Sequence, residues 1–237
     1  MKRNQIAVAL VFILILAGCK AQHPSEVTMD PEFDVNQVGS ILIAPFVSSI
    51  QEGIDPNRQS ERIMNRTLLG MISERADHKF LSPEYFKLAI RKGDLDESYE
   101  KFKIDWMTKQ EVDKAFLLGL KGELDIDAIL IPHVYLWDKD EVDYRESGAA
   151  SSTTVGATLT LVDFDTGKVL WEATDQNYEE AVRSEGNREQ VSTAGITRRV
   201  SGVSATGKDM YAAPPYENVA ILVLKVLVDA IPERGAM

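Results

Sequence analysis

Asp165-Thr166-Gly167 is the triplet that carries the catalytic carboxylate of aspartic proteases, a chemistry that needs two such carboxylates sharing one proton. The chain has one copy, so only a symmetric dimer would supply the second. A turn explains the same residues better, because Asp and Gly tolerate tight backbone geometry and apolar alternating segments flank them. Gly202-Val-Ser-Ala-Thr-Gly-Lys208 nearly spells a phosphate-binding loop, but Asp209 stands where Ser or Thr must reach the magnesium ion. No apolar strand precedes it, and Pro214-Pro215 intervene before any helix, so it reads as a loop. The three histidines, His23, His78 and His133, do not pair at ligand spacing, and a single cysteine leaves no zinc pattern. His133 lies within an apolar run and reads as a hydrogen-bonded core or edge histidine. Asp138, Asp140, Glu141 and Asp143 lack the Gly and terminal Glu of a calcium loop and read as a solvated acidic connection. No serine sits in a nucleophile-elbow context. These residues point to no catalytic group, no metal and no cofactor, hence to a protein that is not an enzyme.

The remaining reactive side chain is Cys19, the only cysteine, so no intramolecular disulfide forms. Ahead of it come Lys2 and Arg3, an apolar run from Ile6 to Ala17, and Leu16-Ala17-Gly18-Cys19. This is the layout of a secretory signal peptide, and about a dozen apolar residues are too few for a membrane span, which needs about 20. The end of the segment resembles the lipobox of bacterial lipoproteins. That resemblance implies cleavage after Gly18 and acylation of Cys19, palmitate included. Lys20 is not the Asp that commonly retains such proteins in the inner membrane, so the expectation is the periplasmic face of the outer membrane.

Residues 19–35 are polar, with Pro24 and Pro31, and read as a flexible tether. Residues 36–237 suffice for one α/β domain. Composition is ordinary for a globular chain, with 44% hydrophobic and 27% charged residues. The formal charge of -11 becomes -13 when residues 1–18 leave with Lys2 and Arg3. An acidic domain is a poor match for nucleic acid or anionic lipid, so the acyl chains would be its main membrane contact.

The elements that must position any site follow from periodicity. Val38 to Val47 reads as a buried strand with a bulge or end at Pro45. Ile63, Met64, Leu68, Met71 and Ile72 lie on one stripe of an amphipathic helix running from about Pro56 to Arg75. A short strand at 79–81 and a helix from Glu84 to Arg91 follow. Thr108-Lys-Gln-Glu111 fits a capping box opening a helix that carries Val112, Phe116 and Leu120. Ala128 to Trp137 is a second strong strand. Val155 to Phe164 alternates, Asp163 to Gly167 is turn chemistry, and Lys168 to Ala173 returns, which makes a hairpin. Residues 176–213 read as a polar loop or insertion, and Tyr216 to Ile231 as a helix ended by Pro232.

In this order, the lipobox, Ile41-Leu-Ile-Ala-Pro-Phe46, Leu124-Asp-Ile-Asp-Ala-Ile-Leu-Ile-Pro132, Leu159-Thr-Leu-Val-Asp-Phe-Asp-Thr-Gly-Lys-Val-Leu-Trp171 and the closing helix resemble a family of envelope lipoproteins. This is the TolB N-terminal-domain-like group that includes CsgG and LpoB. The resemblance implies an α/β fold with a mixed sheet packed with helices (anticodon-binding-like), without enzymatic activity. It also implies action by protein-protein contact as an accessory, assembly or activator subunit of an envelope machine. The alternative it raises is a subunit of a homo-oligomeric CsgG-like outer-membrane secretion channel. Residues 92–110 and 176–213 look like additions to the family core. The expected partners are the membrane through the N-terminal lipid, and another envelope protein or a second copy; nucleic acid is not among them. Contacts are expected at the hairpin tip, on Asp163, Asp165 and Lys168, or in the polar segment after Glu185, since loops on a rigid scaffold carry recognition.

Overall fold

A computed structural model of the 237-residue chain describes residues 24–121, 124–142, 150–181, 201–203 and 209–235. β2 (Ser40–Ile43) and β3 (Val47–Ser48) are one line of chain interrupted around Pro45, which has no amide to give to a ladder. Pairing survives the interruption: Ala44 N donates to Leu130 O at 2.9 Å and Ser49 N to Val134 O at 3.1 Å. The Phe46 amide is taken up by Asn65 Oδ1 at 3.1 Å. β5 (Ala128–Asp140) runs parallel to both pieces, and β4 (Lys79–Leu81) runs parallel to β2. β6 (Ser152–Asp163) and β7 (Val169–Glu180) continue antiparallel, and β1 (Glu26–Met29) closes that edge antiparallel to β7. The result is one seven-stranded mixed sheet ordered β1-β7-β6-β5-β2-β4, with β3 also on β5.

Side-chain alternation gives this sheet two apolar faces. Ile41, Ile43, Leu130, Val155, Ala157, Leu159 and Leu161 point to one face and pack with α1 (Gln59–Ile72) and α5 (Tyr216–Asp229). Leu42, Ala44, Ile129, Ile131, Val162 and Phe164 share a second cluster with α2 (Pro83–Gly93), α3 (Asp96–Lys109) and α4 (Lys114–Lys121). The molecule is therefore an α/β fold in three layers, a mixed sheet between two layers of helices. β8 (Ser201–Val203) and β9 (Asp209–Tyr211) pair as a separate antiparallel ribbon.

Four local expectations change. Thr108 does not open a helix: it lies in the last turn of α3, its Oγ1 donates back to Ile104 O at 2.7 Å, and Gln110 at φ 55 ends the helix. The cap before α4 is Asp113, whose Oδ1 accepts from Ala115 N at 2.9 Å. Within 92–110, α3 buries Phe102 and Trp106, so this stretch adds to the second core. The return strand runs on to Glu180, because Asp175 to Glu180 pair with Ala157 back to Ser152. Part of the stretch expected as tether, Glu26–Met29, is instead an edge strand.

Candidate functional site

The hairpin tip is built by its own polar groups. Asp163 Oδ1 accepts from both Thr166 N and Thr166 Oγ1 at 2.6 Å, and Thr166 Oγ1 in turn accepts from Lys168 N at 3.2 Å. Asp163 N donates to Lys168 O at 2.9 Å and Gly167 N to Asp163 O at 3.0 Å, closing the turn. Gly167 takes φ +69, the left-handed region that disfavours a side chain. Asp165 forms an ion pair with Lys121 at the end of α4. Lys168 pairs with Asp30 and lies 3.4 Å from Glu32 Oε2. The lysine holds the Asp30 carboxyl below its ordinary range, and Asp30 with Glu32 holds the Lys168 ammonium above its own.

The three expected contact residues are thus brought to one corner, where each is engaged within the chain. Asp165 is exposed and paired with a lysine, which is the environment of a turn residue and not of a carboxylate dyad. Cys19 and Leu16, Ala17 and Gly18 of the cleavage motif lie outside the described residues, as do His23, Asp143 and Lys208.

Lys168 is one end of a clasp that the sequence did not announce. Upstream of Asp30, β1 lies along β7 in the register Glu26 to Thr174 and Met29 to Trp171. At its far end Ser25 donates to Asp175 Oδ1 twice, from its amide at 3.2 Å and its hydroxyl at 2.7 Å. Asp30 N bonds Leu170 O at 3.0 Å, and Phe33 packs against the first core. The residues from Ser25 to Phe33 are therefore fixed to the edge of the sheet. A run as short as Glu-Val-Thr-Met, with every side chain exposed, has no burial pattern that would mark it as a strand.

An open cleft of about 760 Å³ lies where α1 and α5 end, lined in part by Glu74, Arg75, Asp77, Lys225, Asp229 and Glu233. Its strongest groups are committed to the fold. Arg75 Nη1 donates to Val228 O at 2.6 Å and Nη2 to Ile231 O at 3.1 Å, which caps the end of α5. The same guanidinium holds Asp77 at 2.9 and 2.6 Å; burial pushes that carboxyl up, and the arginine outweighs it and keeps it low. Buried His78 sets its two ring nitrogens 2.9 Å from Val38 O and 3.0 Å from Pro232 O, and the nitrogen that carries the proton donates to the carbonyl it faces. Among the described residues, no group of three or more His, Cys, Asp or Glu is placed to hold a metal ion.

On the second face of the sheet, polar side chains form a ladder beside the second core. Thr158 and Thr174 hydroxyls meet at 2.9 Å, Thr160 Oγ1 donates to Glu172 Oε2 at 2.8 Å, and Tyr135 Oη donates to Asp175 O at 3.3 Å. His133 shares a hydrogen bond with Ser49 Oγ at 3.1 Å, and burial pushes its imidazole below the ordinary value. The threonine and glutamate pairs stabilise the sheet, and the Ser49–His133 contact is the one in this ladder that sets a hydroxyl against an imidazole, with no carboxylate on the other ring nitrogen among the described residues.

No family model matches the chain, and no curated protein matches it. Among solved structures it is similar to the lipoprotein GNA1162 of Neisseria meningitidis, at 20% identity over 62% of this chain and 88% of that one, with a TM-score of 0.43. It is also similar to the PelC dodecamer of Paraburkholderia phytofirmans, at 14% identity over 85% of this chain and 92% of that one, with a TM-score of 0.38. A third is the LpoB C-terminal domain of Salmonella enterica, at 11% identity over 59% of this chain and 82% of that one, with a TM-score of 0.35. At this level of likeness none of them lends this chain a function, which is argued below from its own residues.

Proposed function

We propose that the chain is a lipid-anchored protein of the bacterial envelope that works by binding other proteins and not by catalysis. In this reading it is an accessory, assembly or activator subunit of an envelope machine, held by acylated Cys19 on the periplasmic face of the outer membrane. The observation that carries the reading is the run from Lys2 to Cys19, in which an n-region, a short apolar stretch and Leu-Ala-Gly end on the chain's sole cysteine. Two further observations agree with it. Asp163, Asp165 and Lys168 are occupied in turn and clasp contacts and so are not poised for acid-base chemistry. Trp171 and Ala173 of the hairpin are buried under helices, as in a globular subunit.

The test has two steps. Metabolic labelling with an alkyne fatty acid should mark the wild-type chain and not Cys19→Ser; equal labelling would end the lipoprotein reading. Crosslinking of the acylated protein in intact envelopes, followed by mass spectrometry, should then capture a distinct envelope protein. A ladder of self-crosslinked multiples would instead favour the secretion-channel subunit.

A further inference from the structure

The clasp along β7 decides how the domain stands on a membrane. Six peptide steps separate Cys19 from Ser25, and at about 3.6 Å each they span no more than about 22 Å. From Ser25 onward the chain is held to Asp175, to β7, and through Asp30 to Lys168. The strand direction is fixed as well. Because Met29 faces Trp171 and Glu26 faces Thr174, the chain upstream of Ser25 leaves toward the Glu180 end of β7. That end also carries Ser152, paired with Glu180, and Asp140, paired with Ser152. The hairpin tip lies at the opposite end, roughly 30 Å away for the ten steps from Lys168 to Tyr178 at about 3.3 Å per step.

We propose that the sheet end carrying Asp140, Ser152 and Glu180 faces the bilayer: Ser25 is held within about 22 Å of Cys19, and Glu180 lies five strand residues beyond Asp175, about 17 Å from it toward the membrane, while the tip Asp163 to Lys168 points into the periplasm. This inference rests on acylation of Cys19. The bilayer-facing end has exposed Asp138, Asp140, Glu141 and Glu180 around Tyr178, and Lys139, paired with Glu141 at 3.5 Å, leaves the carboxylates in excess. Carboxylates repel anionic headgroups, so this end stands off the surface instead of adsorbing flat, and the acyl chains alone make the attachment. The clasp therefore sets both the standoff and the polarity, and the released chain would lose both.

The sole native thiol is consumed by acylation, so an introduced cysteine is the only one available for a dye. The acylated protein, reconstituted in phosphatidylethanolamine and phosphatidylglycerol vesicles containing an acceptor lipid, is labelled at Tyr178→Cys or at Leu118→Cys. Leu118 is exposed on α4, whose Lys121 pairs with Asp165 at the tip. Energy transfer should be strong from position 178 and weak from 118. Equal or reversed transfer in protein that binds the vesicles would overturn the orientation while leaving the anchor intact. Protein that does not bind the vesicles would overturn the anchor, and the orientation with it. A double variant, Ser25→Pro with Thr28→Pro, removes both Ser25 donors to Asp175 and an amide of β1 that faces β7, but touches no core residue. It should keep the wild-type melting temperature and lose the difference between the two positions. A folded double variant that kept the difference would show that the clasp does not orient the domain.

Discussion

Asp55 lies four residues ahead of α1, yet it supplies the cap that the helix needs. Its Oδ1 accepts from Gln59 N at 2.6 Å, and its Oδ2 from Ser60 N at 3.0 Å and from the Ser60 hydroxyl. A carboxylate at a helix N-terminus also meets the positive end of the helix dipole. Asp55→Ala is expected to cost about 1–3 kcal/mol in urea unfolding, because it leaves buried donors without an acceptor. Asp55→Asn should lose less, since an amide oxygen still accepts. His133 makes a different prediction. Burial holds its imidazole below the ordinary value of 6.5, so the folded chain favours the neutral ring and the unfolded chain takes up the proton first. Its contribution to stability is therefore present above pH 6.5 and is lost as the pH falls through the lowered value. The groups around it are the Ser49 hydroxyl and the Tyr135 ring. In His133→Gln, unfolding free energies measured between pH 7 and pH 5 should depend less on pH than in the wild type.

The β6–β7 hairpin shows what a strand needs from its smallest member. Tyr135 crosses β6 to reach the Asp175 carbonyl, and it does so over Gly156: a Cβ there would lie 2.7 Å from Tyr135 Cζ and 3.0 Å from Leu136 Cβ. Gly156→Ala is expected to cost about 1–3 kcal/mol by overpacking. Adding Tyr135→Leu should recover part of that loss in thermal unfolding, since the contact with Leu136 remains. The hairpin was legible in the sequence because Val155 to Leu161 alternate strictly and Asp163 to Gly167 carry turn residues. Its extension to Glu180 was not, because Gln176, Asn177 and Glu179 bear no apolar signal and are strand only through their pairing with Thr153 to Gly156. α3 was missed for a related reason: Phe102 and Trp106 are its only buried residues and stand among charged neighbours. The Thr108 to Glu111 pattern misled because capping depends on which side of the break the helix lies. The candidate contacts were legible as a turn, whereas the Lys168 to Asp30 clasp joins positions too distant for spacing to show.

Across the whole molecule, the two cores share one sheet. Ile41 and Ile43 belong to the first cluster while Leu42, between them, belongs to the second, and Leu130 and Ile129 divide in the same way. Losing either helix layer would expose one face of strands whose other face is still buried. That arrangement predicts one cooperative transition, although α3 looked from the sequence like an appended piece. The chain carries its own reporters, since Trp106 lies in the second core and Trp137 and Trp171 lie in the first. Three single-tryptophan proteins, with the other two replaced by Phe, should show coincident fluorescence transitions once each is referred to its own far-ultraviolet circular dichroism midpoint. Phe102→Ala, which deletes a ring 1% exposed, should lower stability by about 3–5 kcal/mol and shift the Trp137 and Trp171 signals together with that of Trp106. An early Trp106 transition, with the first core unmoved, would mean that α2 to α4 can peel from the sheet as a separate unit. The interleaved clusters argue against that, because Leu42 is fully buried and cannot leave the second core without breaking β2 between β4 and β5.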